Sequence, residues 1–258
     1  KIKIVDPACG SGSFLIKAFD VLIEESQRKL GRDLTYEEKE KLMLNCIHGV
    51  DLDERACDIV KLNLSLKLAE RNRKLPQLYH NIQNGNSLID DPEISGDKAF
   101  KWEERFPSVF RQGGFDIVIG NPPYGLVFDE KEKKKLEETF PTFRRNNDLY
   151  VAFIEKGIAL LKRGGLFSYI TPNTYILGDY FEKLREFLLK EGDILSMVDF
   201  TTNEIFRDPN VFTSIIVYIK ENLRKKNDFL FLSVPYIKNL ENLGISNVGI
   251  NTKIEQSS

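Results

Sequence analysis

The sequence predicts an α/β fold, a doubly wound and mainly parallel sheet with helices on both sides. Three observations lead there. Short, β-branched apolar runs alternate with helical stretches along most of the chain. The first run, KIKIV, enters a glycine loop, DPACGSGSF, that opens a helix. A later run, FDIVI, stops at GNPPYG, where two prolines forbid continuation as a strand.

Strands are expected at 2–5, 46–50, 79–83, 115–119, 166–171, 194–199 and 211–219. Between them, 13–30 reads as a helix with Phe14, Leu15, Ala18, Phe19, Leu22 and Ile23 on one face. A short inserted helix is expected over 35–44. The stretch KLNLSLKL, 61–68, alternates leucines with the period of a strand. A helix over 54–73 is nevertheless preferred, because Asp53 can cap it and Ile59, Leu62, Leu66 and Ala69 share a face. Helical spacing returns at 147–162 and 178–190, with Gly164–Gly165 stopping the former. Two stretches, 90–114 and 125–146, read as irregular inserts. The second carries Lys131, Lys133, Lys134, Lys135, Arg144 and Arg145, a pattern that fits a solvated face or a weak, salt-sensitive contact to DNA. Residues 222–258 lose the strand–helix rhythm and read as a linker, which leaves 1–221 as the main domain. There are no internal repeats.

The chain has 258 residues, 41% hydrophobic and 29% charged, the composition of a globular domain. No apolar run approaches the roughly 18 residues of a membrane span, and no signal peptide is visible. A cytoplasmic protein with no membrane partner is expected. The chain opens inside a strand without Met, as a fragment of a longer protein would. Cys9, Cys46 and Cys57 form no CxxC, and His48 and His80 are the two histidines. The expectation is reduced thiols in or near the core and no metal site. A net charge of −2 excludes a generally basic, nucleic-acid-coating surface, so such a contact must be local or lie elsewhere.

Gly10 and Gly12 allow backbone to approach a ligand closely. The dinucleotide fingerprint wants a third glycine at position 15, and Leu15 stands there. Asp6 at the end of the first strand repels phosphate and suits a cation. S-adenosylmethionine is a ligand of that kind, with an ammonium, a sulfonium and no phosphate. The second strand ends GVDLD, which places Asp51 either at the two hydroxyls of a ribose or at a helix cap. Leu52 is placed to pack on an adenine face, and Asp53 to cap or to assist. Asp51 lies farther past Gly12 than the roughly 20 residues of the dinucleotide pattern; the inserted helix accounts for the excess. The third strand ends NGNSL, where Asn86 either meets the cofactor's adenine edge or makes a plain turn.

DPACGSGSF, GVDLD, NGNSL, GNPPYG and LKRGGLFSYITPNTYI occur in that order. Together they resemble the S-adenosylmethionine-dependent DNA adenine-N6 methyltransferases, above all the methylase part of type IIG restriction–modification enzymes. The resemblance spans about 1–220. It implies a Rossmann-like class I methyltransferase, a seven-strand sheet whose last strand runs antiparallel. It implies cofactor contacts at Asp6, Ala8, Gly10, Gly12, Asp51 and Leu52. Family members often carry Asp where Asn86 stands. They also have an upstream motif that helps hold the cofactor and a recognition domain, usually C-terminal; neither is evident here. On this reading 222–258 is a linker or the start of a truncated target-recognition region, and the partner is double-stranded DNA.

GNPPYG fits that chemistry. An adenine amino nitrogen is a weak nucleophile because its lone pair is delocalised into the ring. Two acceptors aimed at its hydrogens, the Asn121 side-chain oxygen and the Pro122 carbonyl, pull it toward a tetrahedral geometry. A target inside a duplex must be flipped out, and Tyr124 is placed to stack on it. The family sets a second aromatic near NEIF, which marks Phe206, a residue that core packing would equally explain. Alternatives remain: a protein-glutamine or RNA methyltransferase using the same loop, or a non-catalytic DNA-binding remnant. DPEISGDK, 91–98, has acids and a lysine but poor spacing for a nuclease, and a fused nuclease domain would precede Lys1.

Overall fold

A computed structural model describes residues 1–71, 73–125, 129–144, 146–200, 212–221, 228–233 and 251–255. The chain divides into two compact units, Lys1–Gly120 with Leu160–Lys162, and Asn121–Ala159 with Arg163–Ser258.

The first unit runs β1 (Ile4–Asp6), α1 (Ser13–Leu30), α2 (Tyr36–Cys46), β2 (Ile47–Asp51), α3 (Glu54–Leu66) and β3 (Ile82–Asn84). After them come α4 (Pro92–Ser95), a 3₁₀ turn at Gly96–Lys98, α5 (Trp102–Arg105), α6 (Pro107–Phe110) and β4 (Phe115–Gly120). Its strands lie in the order β3-β2-β1-β4, all parallel. Their carboxyl ends, Asp6, Asp51, Asn84 and Gly120, therefore share one edge. Residues on β2 alternate between two cores, as strand geometry requires. Ile47 joins Leu15, Phe19, Val60 and Leu64 in the core that α1 and α3 cover. His48 packs edge-on against Phe106 and Phe115, with ring centroids 5.6 and 5.5 Å away. Burial pushes the His48 imidazole down to about 4, so it is neutral at pH 7.

The leucine alternation in 61–68 has a physical resolution. Leu64 and Leu68 are buried in the core, while Leu62 and Leu66 are each 53% exposed. The helix ends at Leu66, short of the expected 73, in tightened bonds from Lys67 N to Leu64 O and Leu68 N to Ser65 O. Helix α2 begins where a capping box sits, Thr35 and Glu38 each satisfying the other's backbone N–H.

The stretch 90–114 is not the irregular insert expected. It folds as α4, the 3₁₀ turn, α5 and α6, and supplies Phe100, Trp102 and Phe106 to the aromatic core. Each helix is a single turn, too short for helical periodicity to show in the sequence. The Trp102 indole, 1% exposed, donates from Nε1 to Ser87 O at 3.0 Å.

The second unit carries α7 (Glu130–Thr139), α8 (Tyr150–Leu160), most of β5 (Leu161–Pro172) and α9 (Thr174–Leu177). A 3₁₀ turn at Asp179–Phe181, α10 (Glu182–Glu191), β6 (Asp193–Asp199), β7 (Thr213–Ile219), β8 (Asp228–Ser233) and β9 (Asn251–Glu255) complete it. Strand β7 is antiparallel to both β5 and β6, the reversal that the resemblance implied for the last of seven strands. β8 adds to β6 in parallel and β9 to β8 antiparallel, so 222–258 is more than the loss of rhythm its sequence suggests. Gly164–Gly165 do not stop α8, which ends at Leu160; they lie within β5. The basic insert forms α7, capped by an Asp129–Glu132 box, and Lys133 and Lys134 lie near Glu130 and Glu138. Among the described residues no helix is long and apolar enough to cross a membrane.

The aromatic core predicts its own cost of removal. Trp102→Ala should destabilise the chain by about 3–5 kcal/mol, read as a lowered midpoint in urea unfolding. A shift under about 1 kcal/mol would show that 90–114 is not part of the core.

Candidate active site

At the shared edge, Asp6 is 2% exposed. Its Oδ1 accepts the Ala8 N–H at 3.0 Å, which fixes the first turn of the glycine loop. Burial raises its carboxyl to about 7; the Ala8 bond opposes the rise and the Asp51 charge adds to it. Gly12 has φ 86°, a left-handed conformation, and a Cβ there would stand 2.8 Å from Val60 Cγ1. Glycine alone satisfies both demands. The Gly10 N–H donates to Asp51 Oδ2 at 2.8 Å and ties the loop to the end of β2. A Cβ at Gly10 would meet nothing within 4 Å, so open space lies beside the loop.

Asp51 is not the cap of α3. Asp53 is, accepting the Arg55 N–H at 2.9 Å. Asp51 Oδ1 accepts the Asp53 N–H at 2.9 Å, which leaves each carboxylate oxygen further lone-pair capacity. Leu52 beside it is 54% exposed. Asn86 makes the plain turn its sequence allowed for. Its Oδ1 accepts from Leu88 N and Ile89 N, and its Nδ2 donates to Ser95 Oγ. The structure thus brings Asp6, Ala8, Gly10, Gly12, Asp51 and Leu52 to one edge and turns the Asn86 side chain into its own loop.

Gly120 closes β4 against Asp6. A Cβ at 120 would sit 2.6 Å from Asp6 Oδ1, so any side chain there would have to displace the Asp6 carboxylate. The next residue, Asn121, opens the second unit. Its Oδ1 is buried and has no hydrogen-bond partner among the described residues. An oxygen in that state is costly unless a ligand supplies a donor. The Tyr124 hydroxyl is pushed up by burial and held back in part by a hydrogen bond from the Asn121 amide nitrogen, which leaves Oδ1 free. Asp148 Oδ1 accepts both the Gly125 N–H at 2.8 Å and the Leu149 N–H at 2.7 Å, which clamps the far end of the GNPPYG loop. Phe206 lies outside the described residues.

Three contributors escape sequence reading. Asp148 is distant in the chain from the loop it clamps. Ser87 Oγ donates to Pro7 O at 2.6 Å, fastening the glycine loop. Asn84 braces the Asp51–Leu52 backbone. NGNSL carries two asparagines, and only the register Asp51↔Asn84 reveals that the first one faces β2. Of the acids of DPEISGDK, Asp91 caps α4. All three cysteines are buried free thiols. No cluster of His, Cys, Asp or Glu able to hold a metal occurs among the described residues.

A parallel sheet with an antiparallel β7, a glycine loop after β1 and an acid after β2 define a class I methyltransferase fold. The Eco57I restriction-modification methylase family matches residues 45–206, more than half of the chain, and the chain belongs to that family. It is 32% identical over 267 residues to the type II restriction enzyme and methyltransferase RM.Eco57I of Escherichia coli, covering 92% of this chain and 26% of that protein. It is 26% identical over 219 residues to the adenine-specific methyltransferase PglX of Streptomyces coelicolor, covering 72% of this chain and 18% of that one. The chain thus spans about a quarter or less of these two relatives. In fold it resembles the DrdV–DNA complex solved by cryo-electron microscopy, with a TM-score of 0.67 at 18% identity over 91% of this chain and 25% of that one.

The Asp6 carboxyl makes a pH prediction. Its folded value lies above the unfolded 3.8, so the unfolded state gives up its proton first as pH rises. The stability present below about pH 4 is then lost as pH rises through 7. At about 1.4 kcal/mol per unit this amounts to roughly 4 kcal/mol. Asp6→Asn should therefore gain on the wild type in urea unfolding between pH 4.5 and 8. Parallel pH profiles for the two proteins would contradict a raised Asp6.

Proposed function

We propose that the chain transfers a methyl group from S-adenosylmethionine to the N6 amino group of a flipped-out adenine in double-stranded DNA. It would do so within a cytoplasmic restriction–modification or phage-defence system. The observation that carries the reading is the buried, unpartnered Oδ1 of Asn121 on a proline-stiffened loop. That oxygen is an acceptor waiting for a donor, and an adenine amino group is such a donor.

The first unit fits the cofactor. Asp6 suits an ammonium, Asp51 the ribose hydroxyls, and the exposed Leu52 an adenine face. Ala8, Gly10 and Gly12 bring the backbone of the loop close, with open space at Gly10. An ammonium beside Asp6 would lower its carboxyl from about 7 and keep it charged. The cofactor, when bound, supplies an electrophilic methyl on a sulfonium.

The rest of the work falls to Asn121, Pro122 and Tyr124. Asn121 Oδ1 and the Pro122 carbonyl accept the two amino hydrogens, localise the nitrogen lone pair and stabilise its developing positive charge. The rigidity of two prolines and the Asp148 clamp at Gly125 fix their aim before substrate arrives. Tyr124 replaces stacking lost by the extruded base, and Phe206 is assigned the opposite face. Similarity to RM.Eco57I and PglX, both named as methyltransferases, supports the reaction class. Because the chain spans about a quarter or less of RM.Eco57I and PglX, the reading assigns target recognition to other segments of the full-length protein.

Substitutions at two positions of the full-length protein test this. Asn121→Ala should cut methyl transfer to DNA about 100- to 1,000-fold, or roughly 3–4 kcal/mol, with cofactor affinity unchanged by calorimetry. Half-maximal activity in that variant would remove the amide from the chemistry. Tyr124→Ala should weaken the flipped state about 5- to 150-fold, since one stacked base is worth about 1–3 kcal/mol. Tyr124→Phe and Tyr124→Trp should keep most activity, because each retains a ring face. Equal inactivity of the Phe and Ala variants would mean that the hydroxyl, not the face, matters.

A further inference from the structure

We propose that Asn84 is a positioning residue for the cofactor's ribose, set in place by Lys98 and acting on the ligand only through Asp51 and Leu52. This rests on the cofactor site proposed above.

Asn84 is the last residue of β3 and pairs with Asp51 in the parallel register. Its Nδ2 donates to Asp51 O and to Leu52 O, both at 2.9 Å. Its Oδ1 accepts from Lys98 Nζ. That set of partners admits one orientation of the amide. An ammonium can only donate and a carbonyl can only accept, so the oxygen must face Lys98 and the nitrogen the two carbonyls. Both amide hydrogens are spent on the backbone, and Asn84 therefore reaches a ligand indirectly.

Asp51 and Leu52 form the link between the end of β2 and the Asp53 cap of α3. Strand pairing continues as far as Asp51, whose carbonyl also accepts the Gly85 N–H at 2.9 Å. Leu52 is beyond the ladder and exposed, and the Asn84 amide takes its carbonyl. The Asn84 brace thus fixes the peptide from which the Asp51 carboxylate and the Leu52 side chain both project. The Lys98 charge polarises the amide and strengthens its two donations. Lys98 is itself anchored, since Asn86 N donates to Lys98 O at 2.6 Å and Ala99 bridges to Asn86. The stretch between β3 and β4 is in this way coupled to the cofactor edge.

The test uses calorimetry on this chain with S-adenosylhomocysteine and, in parallel, its 2′-deoxyribose analogue. Asn84→Ala should weaken S-adenosylhomocysteine about 5- to 10-fold, and the deoxy analogue distinctly less, because the brace matters through the hydroxyl that Asp51 accepts. Lys98→Met should show the same pattern in smaller measure, and Lys98→Arg should restore most of the affinity. Should Asn84→Ala fail to fold, the Lys98 pair decides the matter alone. Affinity within about 2-fold of wild type in Asn84→Ala and Lys98→Met, or equal losses for both ligands, would overturn the proposal. Asp51→Ala separates the two levels. If it weakens binding while the Asn84 and Lys98 variants do not, only the positioning role falls. If it leaves binding unchanged, the cofactor reading of Asp51 falls and takes this proposal with it.

Discussion

The close approach of β1 and β4 at Asp6 and Gly120 governs the rest of the edge. The Asp6 carboxyl group occupies the space that a Cβ at 120 would need. That contact lies where β4 stops and the chain leaves the sheet for Asn121 and the two prolines. It also seals Asp6 from water, which is why its carboxyl rises to about 7. A buried acid with no cation beside it is an expensive residue to keep in a core. Perturbed groups of this kind cluster at functional sites.

Around that contact the first unit laces its loops together with side-chain to backbone bonds. Gly10 is tied to Asp51, Pro7 to Ser87, and the Asp51–Leu52 backbone to Asn84. Trp102 bonds Ser87 in turn, so the aromatic core and the glycine loop share one chain of contacts. Each bond is worth only about 1 kcal/mol; their value lies in removing freedom from loops that must meet a ligand in one arrangement. In the second unit Asp148 does the same for GNPPYG. Preorganisation is thus built from different residues at the two ends of the proposed reaction.

The parallel strands, the long first helix and the glycine loop were legible because their signals are local. Apolar runs with period two or 3.6, and glycines at strand ends, declare themselves within ten residues. The stretch 90–114 was not legible. Its helices are single turns, and its aromatics act through rings brought together by the sheet, not by their spacing. The leucines of 61–68 alternate like a strand because they serve both sides of one helix. Asn86 and Asn84 show the limit most clearly. Both are asparagines at the end of one strand, and only the register of β3 on β2 decides which of them braces Asp51. Asp148 carries no local mark at all, since its partner, Gly125, is brought to it by the fold.

The identity of the methylated atom tests the central claim most directly. The full-length protein would be incubated with methyl-tritiated S-adenosylmethionine and unmodified phage DNA, and the DNA digested to nucleosides and separated. The account predicts label in N6-methyl-2′-deoxyadenosine. Label in a methylated cytosine, in protein, or in no product would contradict it.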